Sequence, residues 1–227
     1  MTTIASNLQA VRDAINAAAA EANRHTKEVR LLAVSKSFAP DAIRAAYRAG
    51  QNCFAESYVQ EALDKITALH DLAIEWHYIG PIQSNKTRAI AANFVWVHSV
   101  DRLKIAERLS EQRPAHLPAL QVCLQVNISG EASKSGVAPA ETSALAHAVA
   151  KLPKLELRGL MAVPAPSDDT DAQRLPFAKL RELRDRLNRE GLRLDTLSMG
   201  MSHDFAAAIE EGATIVRIGT AIFGGRA

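Results

Sequence analysis

The stretch LSMGMSHDFAAAIEEGATIVRIGTAIFGG, residues 197–225, reads as a strand end, a glycine turn, an amphipathic helix over 203–211 closed by Gly212, and a second strand over 214–218. Strand, helix and strand in that order is the unit of a parallel sheet. Working back toward the N-terminus, the same alternation recurs. Strand-like runs fall at 30–35, 52–55, 75–79, 94–98, 119–127, 156–163 and 196–199, and amphipathic segments at 40–49, 56–69, 85–92, 101–112, 139–151 and 173–190. Pro40 and Asp41 open the first of these helices and Gly50 closes it; Asp101 stands where it can cap another, and Gly191 ends a third. Eight strands with seven intervening helices is the count of a (β/α)8 barrel. After strand eight the sequence FGGRA offers no final helix. In a closed barrel strand eight lies beside strand one, leaving a gap there. The N-terminal segment carries Ile4, Leu8, Val11 and Ile15 at helical spacing and reads as the helix that covers it. The expectation is one TIM-barrel domain over 1–227, with a doubly wound open sheet as the alternative.

Composition narrows the class of partner. The 227 residues hold 27 basic and 25 acidic side chains, dispersed along the chain, which gives no basic face for nucleic acid or an anionic membrane. No apolar run approaches the ~20 residues that cross a bilayer. The N-terminus lacks the basic start of a signal peptide and carries Asp13 and Glu21. Cys53 and Cys123 lie far apart inside apolar segments, as core fillers in a reducing compartment do. A cytoplasmic protein is expected.

Chemistry in such a barrel collects at the C-terminal ends of the strands. Lys36 stands there on strand one, after the apolar run Leu31 to Val34. A partly desolvated lysine amine has a lowered pKa, and its neutral form attacks carbonyls to give a Schiff base; a lysine that merely reaches water is the bland alternative. At the other end of the chain, glycine-rich turns follow strands seven and eight, where many barrels bind phosphate. Ser202 could cap the helix there or offer its hydroxyl to a phosphate; Gly219 and Thr220 offer N–H donors, and Arg217, inside an apolar strand, needs an acceptor or anion facing it. A lysine on one side of the mouth and a phosphate cradle on the other would suit pyridoxal 5′-phosphate. His77 and His98, near the ends of strands three and four, have no HxH or HExxH spacing, so they read as barrel-mouth histidines and no metal site is expected. Asn127, Ser129 and Lys134 fall near the loop after strand five, where they shape the cofactor face or simply bond the loop. Tyr58 and Tyr78 either reach the mouth or pack, Met199 and Met201 pack the rim, and Lys86 and Lys134 are alternative cofactor lysines near the mouth.

The runs AVSK, WHYIGPIQSNK, VHSVDR, LQVNIS followed by GEASKSG, LRGLMAVP, LSMGMSHDF and VRIGTAIFG resemble, in order and spacing, the motifs of the pyridoxal phosphate homeostasis proteins, from about residue 30 to the C-terminus. The resemblance implies a barrel like the N-terminal domain of alanine racemase, with no C-terminal β-domain. It also implies that Lys36 matches the cofactor lysine, and that Ser202, Arg217, Gly219 and Thr220 match the phosphate and ring contacts. Members commonly read FGENYVQE after strand two, whereas this chain reads FAESYVQE, with Ala55 for glycine and Ser57 for asparagine. Serine replaces part of the asparagine's hydrogen bonding with a shorter reach. An arginine facing the pyridine nitrogen, as in racemases of this fold, would keep that nitrogen unprotonated and make the ring a poorer electron sink.

Two main functions remain open. One is a carrier that holds pyridoxal 5′-phosphate through a Lys36 Schiff base, shields its aldehyde and hands it to apo-enzymes, maintaining vitamin B6 homeostasis without substantial catalysis. The other is an amino-acid racemase or decarboxylase on the same lysine; an aldolase-type enzyme is a third. A two-base racemase needs an acid/base on each face of the ring, which in alanine racemase includes a tyrosine from the partner's β-domain. The racemase's phosphate-gripping tyrosine, four residues after its lysine, is Pro40 here. The carrier is the expectation, as a monomer.

Overall fold

The computed structural model describes residues 3–130, 135–165, 167 and 169–225. Its strands are β1 (Arg30–Val34), β2 (Cys53–Glu56), β3 (Glu75–Tyr78), β4 (Trp96–Val100), β5 (Leu120–Gln125), β6 (Leu155–Met161), β7 (Thr196–Ser198) and β8 (Ile215–Ile218). They follow one another in chain order around a closed parallel barrel, and β8 pairs with β1 through Arg30 opposite Ile215 and Leu32 opposite Arg217. This is the (β/α)8 barrel the alternation predicts. The open sheet is excluded.

The helices are α1 (Ile4–Glu21), α2 (Pro40–Arg48), α3 (Val59–Ala68), α4 (Thr87–Asn93), α5 (Leu103–Gln112), α6 (Thr142–Val149), α7 (Thr170–Arg189), α8 (Phe205–Glu210) and α9 (Thr220–Phe223). Gly50, Gly191 and Gly212 adopt positive φ just beyond α2, α7 and α8, which ends each helix as the sequence suggests. Some expectations change. Strand β4 starts at Trp96 rather than 94, because Phe94 caps α4 and packs edge-on against Tyr78 in the core. Asp101 is no cap: Arg102 takes that position in α5, and Asp101 pairs with its guanidinium. A final helix does follow β8, though α9 is a single turn.

Helix α1 lies over the closure, against α8, α9 and α2. Leu8, Val11, Ile15 and Ala19 are buried along one face. Asn7 donates to the carbonyl of Ile222 at 3.0 Å, and Arg24 donates to those of Ile209 and Ala213 at 2.8 and 2.7 Å. Among the described residues no helix is long and apolar enough to cross a membrane.

The main apolar core lies between barrel and helices, with Phe54, Phe94, Ile105 and Phe177 fully buried. The lumen is different. Leu32, Val34, Cys53, Ala55 and Ile215 form a small apolar cluster there. The register sets His77 beside Ala55 and Trp96, and Arg217 beside Leu32, so these polar residues share the lumen face. Most barrels fill that space with branched aliphatics.

Candidate functional site at the barrel mouth

At the C-terminal ends of the strands lies a cavity of about 290 Å³ whose lining includes Lys36, Ser202, Arg217, Gly219 and Thr220. All five residues expected from the sequence therefore meet in one place. Lys36 is half-buried at the end of β1. The backbone on either side of it is clamped. Ser35 donates its hydroxyl to Glu56 at 2.6 Å, and its carbonyl accepts from the Lys65 ammonium at 2.7 Å. Ser37 is bent into positive φ (67°), and its N–H donates to Glu61 at 2.6 Å. Such a conformation is uncommon outside glycine and needs surroundings that hold it. Lys65 also pairs with Glu56 at 2.8 Å and Glu61 at 2.6 Å, with Glu56 and Lys65 both buried. Burial raises the Glu56 carboxyl above its ordinary range, against the opposing pull of Lys65 and Ser35. Nothing in the sequence marks Glu56 and Lys65, because they meet only when α3 folds back over β2.

On the opposite wall, Arg217 donates from Nη1 to the carbonyl and hydroxyl of Ser198 and from Nη2 to the carbonyl of Ala162. These acceptors are neutral. Burial pulls the guanidinium down to about 10, with nearby Asp204 opposing, so it remains a cation at neutral pH. The turn after β7 depends on Gly200 at φ +93°, where a Cβ would come 2.7 Å from that of Ala208; its carbonyl accepts from Arg217 N–H at 2.9 Å. Gly219 brings β8 against β1, since a Cβ there would stand 3.1 Å from the Val34 carbonyl. Asp204, not Ser202, takes the N-cap position of α8, but its carboxylate accepts from the N–H of Met201 at 2.6 Å rather than from the helix. Ser202 and Met201 line the cavity instead, whereas Met199 is fully buried core rather than rim.

Other expectations fall differently. Tyr78 is buried, donating to the carbonyls of Ser57 and Pro81, and Tyr58 is 57% exposed; both line a neighbouring cavity, with Lys86. Ser57 borders both spaces. Asn127 sits in the loop, its N–H on the Val137 carbonyl, and Ser129 is exposed; Lys134 lies outside the described residues. His77 and His98 are not at the mouth but fully buried in the lumen, where alternation along β3 and β4 sends them inward. Cys53, Glu75 and His77 bring ligand atoms within 4.8 Å of one another, and Arg30 lies among them, 2.6 Å from Cys53 Sγ and 2.8 Å from Glu75. Burial raises both thiols, Cys123 to about 12, which suits filler rather than nucleophile. The sequence reading missed His203, an exposed imidazole on the cavity lining.

The closed (β/α)8 barrel is of the alanine racemase N-terminal type, and the family model described as the alanine racemase N-terminal domain matches residues 7–227. The chain is 62% identical over 226 residues to the pyridoxal phosphate homeostasis protein of Pseudomonas aeruginosa, covering 100% of this chain and 97% of that one. It belongs to the pyridoxal phosphate homeostasis protein family. PipY of Synechococcus elongatus, with PLP bound, is 36% identical with a TM-score of 0.86, covering 98% of this chain and 100% of PipY. Alanine racemase of Clostridium difficile shares the fold at 14% identity and a TM-score of 0.78, covering 98% of this chain and 56% of the racemase.

Proposed function

We propose that this chain binds pyridoxal 5′-phosphate at the barrel mouth and acts as its carrier, maintaining the cellular vitamin B6 pool and passing the cofactor to apo-enzymes. The observation that carries this reading is the single cavity shared by Lys36, Arg217 and the turns bearing Ser202, Gly219 and Thr220. The residues fit the group. Lys36 supplies an amine for its aldehyde, with loss of water. Ser202, Thr220 and the backbone N–H groups beyond Gly219 supply donors for its phosphate. Arg217 supplies a cation for the ring nitrogen and holds it unprotonated, since a second positive charge alongside is unfavourable. When bound, the cofactor supplies an electrophilic aldehyde and a ring that withdraws electrons weakly in that state.

Carrier is favoured over racemase because neither Tyr58 nor Tyr78 lines the cavity, leaving no tyrosine placed as a second acid/base among the described residues. His203 is the group to test for that role. The experiment is to load the protein with pyridoxal phosphate, record the visible spectrum, reduce with borohydride and map the modified peptide. Added mass on Lys36, absent in Lys36→Ala, with no turnover of amino acids, supports the carrier. Mass on another lysine overturns the role of Lys36. Turnover lost in His203→Ala would make the protein an enzyme.

A further inference from the structure

One line of hydrogen bonds runs through the lumen from the mouth to the opposite end of the barrel. Arg217 Nη1 lies 2.8 Å from Ser198 Oγ, Ser198 Oγ 2.8 Å from His98 Nδ1, His98 Nε2 2.9 Å from His77 Nδ1, and His77 Nε2 2.9 Å from Glu75. Ser198, His98 and His77 are fully buried. The chemistry of the two ends decides the direction of every link. A carboxylate only accepts, so His77 must carry its proton on Nε2, which leaves Nδ1 as an acceptor. His98 must then donate from Nε2 and accept at Nδ1 from the Ser198 hydroxyl. The Ser198 oxygen keeps a lone pair for Arg217, a group that only donates. No link is frustrated. Burial lowers the basicity of both imidazoles, in keeping with one proton on each.

We propose that Ser198, His98 and His77 are positioning residues for Arg217, forming a one-way hydrogen-bonded chain anchored on Glu75 that aims the guanidinium into the mouth. The proposal rests on the reading of that mouth as the pyridoxal phosphate site. The carbonyls of Ser198 and Ala162 also hold the guanidinium, and apolar side chains in the lumen would leave those bonds but not the third, to Ser198 Oγ, which the aligned donor chain fixes in one orientation.

The test has two arms. Nitrogen-15 spectra of histidine-labelled, cofactor-free protein should show both His77 and His98 as the Nε2–H tautomer. An Nδ1–H tautomer at either residue would break the chain and overturn the proposal. In the second arm, release of pyridoxal phosphate is timed in Ser198→Ala, in His77→Phe, which keeps a ring against Trp96, and in the double variant. Each single change should speed release about five- to tenfold, the scale of one lost hydrogen bond. Because both cut one chain, the double variant should release no faster than the worse single. Additive effects, or unchanged release from Ser198→Ala, would refute a positioning role. If wild type fails to label at Lys36, the reading of the mouth falls, and the tautomers alone decide whether the chain runs as described.

Discussion

Lys36 is gripped through its neighbours: Ser35 and Ser37 carry the restraints, and Glu56 at the end of β2, with Glu61 and Lys65 on α3, supplies them. Lys65 is the keystone because it satisfies two carboxylates and a carbonyl at once. Lys65→Met should therefore leave Glu56 buried without a counter-charge. Loss of one partner of a buried pair costs about 3–5 kcal/mol, which urea unfolding would register as a large fall in midpoint. Borohydride labelling of Lys36 should slow as well, as Ser37 relaxes from its positive φ. A midpoint within experimental scatter of wild type would show that the pair is dispensable. At this scale the sequence was half legible. Lys36 and Arg217 stood out because each is a charge at an apolar strand, but Glu56 looked like the start of an amphipathic helix, and His77 and His98 like mouth residues. Burial of a polar side chain in a lumen depends on what the other strands place opposite it, which no local pattern records.

At the scale of elements, strands and glycine-closed helices were readable because each carries its own period and stop signal. The exceptions are instructive. Helix α9 has four residues, too few to show a period, and the edge of β4 moved because Phe94 serves the helix layer rather than the sheet. Helix α1 was recognised by its apolar face, and its place over the closure has a measurable cost. Leu8 is fully buried against that seam, so Leu8→Ala should destabilise by about 2–5 kcal/mol, read from the shift of the denaturation midpoint. The loop after β2 offers a sharper test. Gly80 admits the Ser57 carbonyl so closely that a Cβ would stand 2.0 Å from it. Gly80→Ala should push that loop, and Ser57 with it, away from the mouth, weakening cofactor binding at least tenfold in a spectral titration. Unchanged affinity would show that the mouth tolerates Ser57 moving.

For the whole molecule, the polar lumen sets a pH window. His77 and His98 are held below their ordinary pKa of 6.5 by burial, so below that pH the unfolded chain takes up protons that the barrel refuses. Each imidazole then costs up to about 1.4 kcal/mol per pH unit, and stability falls from near pH 6.5 downward. Glu75 adds a second loss. Although burial alone would raise it, hydrogen bonds from His77 and Arg30 bring it to about 2, so the stability it contributes above pH 4.5 disappears as pH falls toward 2. Urea midpoints measured between pH 7.5 and 5 would check the first window; a flat profile would mean that the imidazoles accept protons inside the barrel. The closure of β8 on β1 has one more outcome. Lys36 comes from the first strand and Arg217 from the last, and they share a cavity only because these strands are neighbours. Before β8 has joined β1 there is no such cavity, so capture of the ligand would mark the closing of the barrel. Bound at that seam, the ligand would act as a clasp, tightening the barrel where its two ends meet and resisting their separation with a stabilisation that grows as the logarithm of its free concentration.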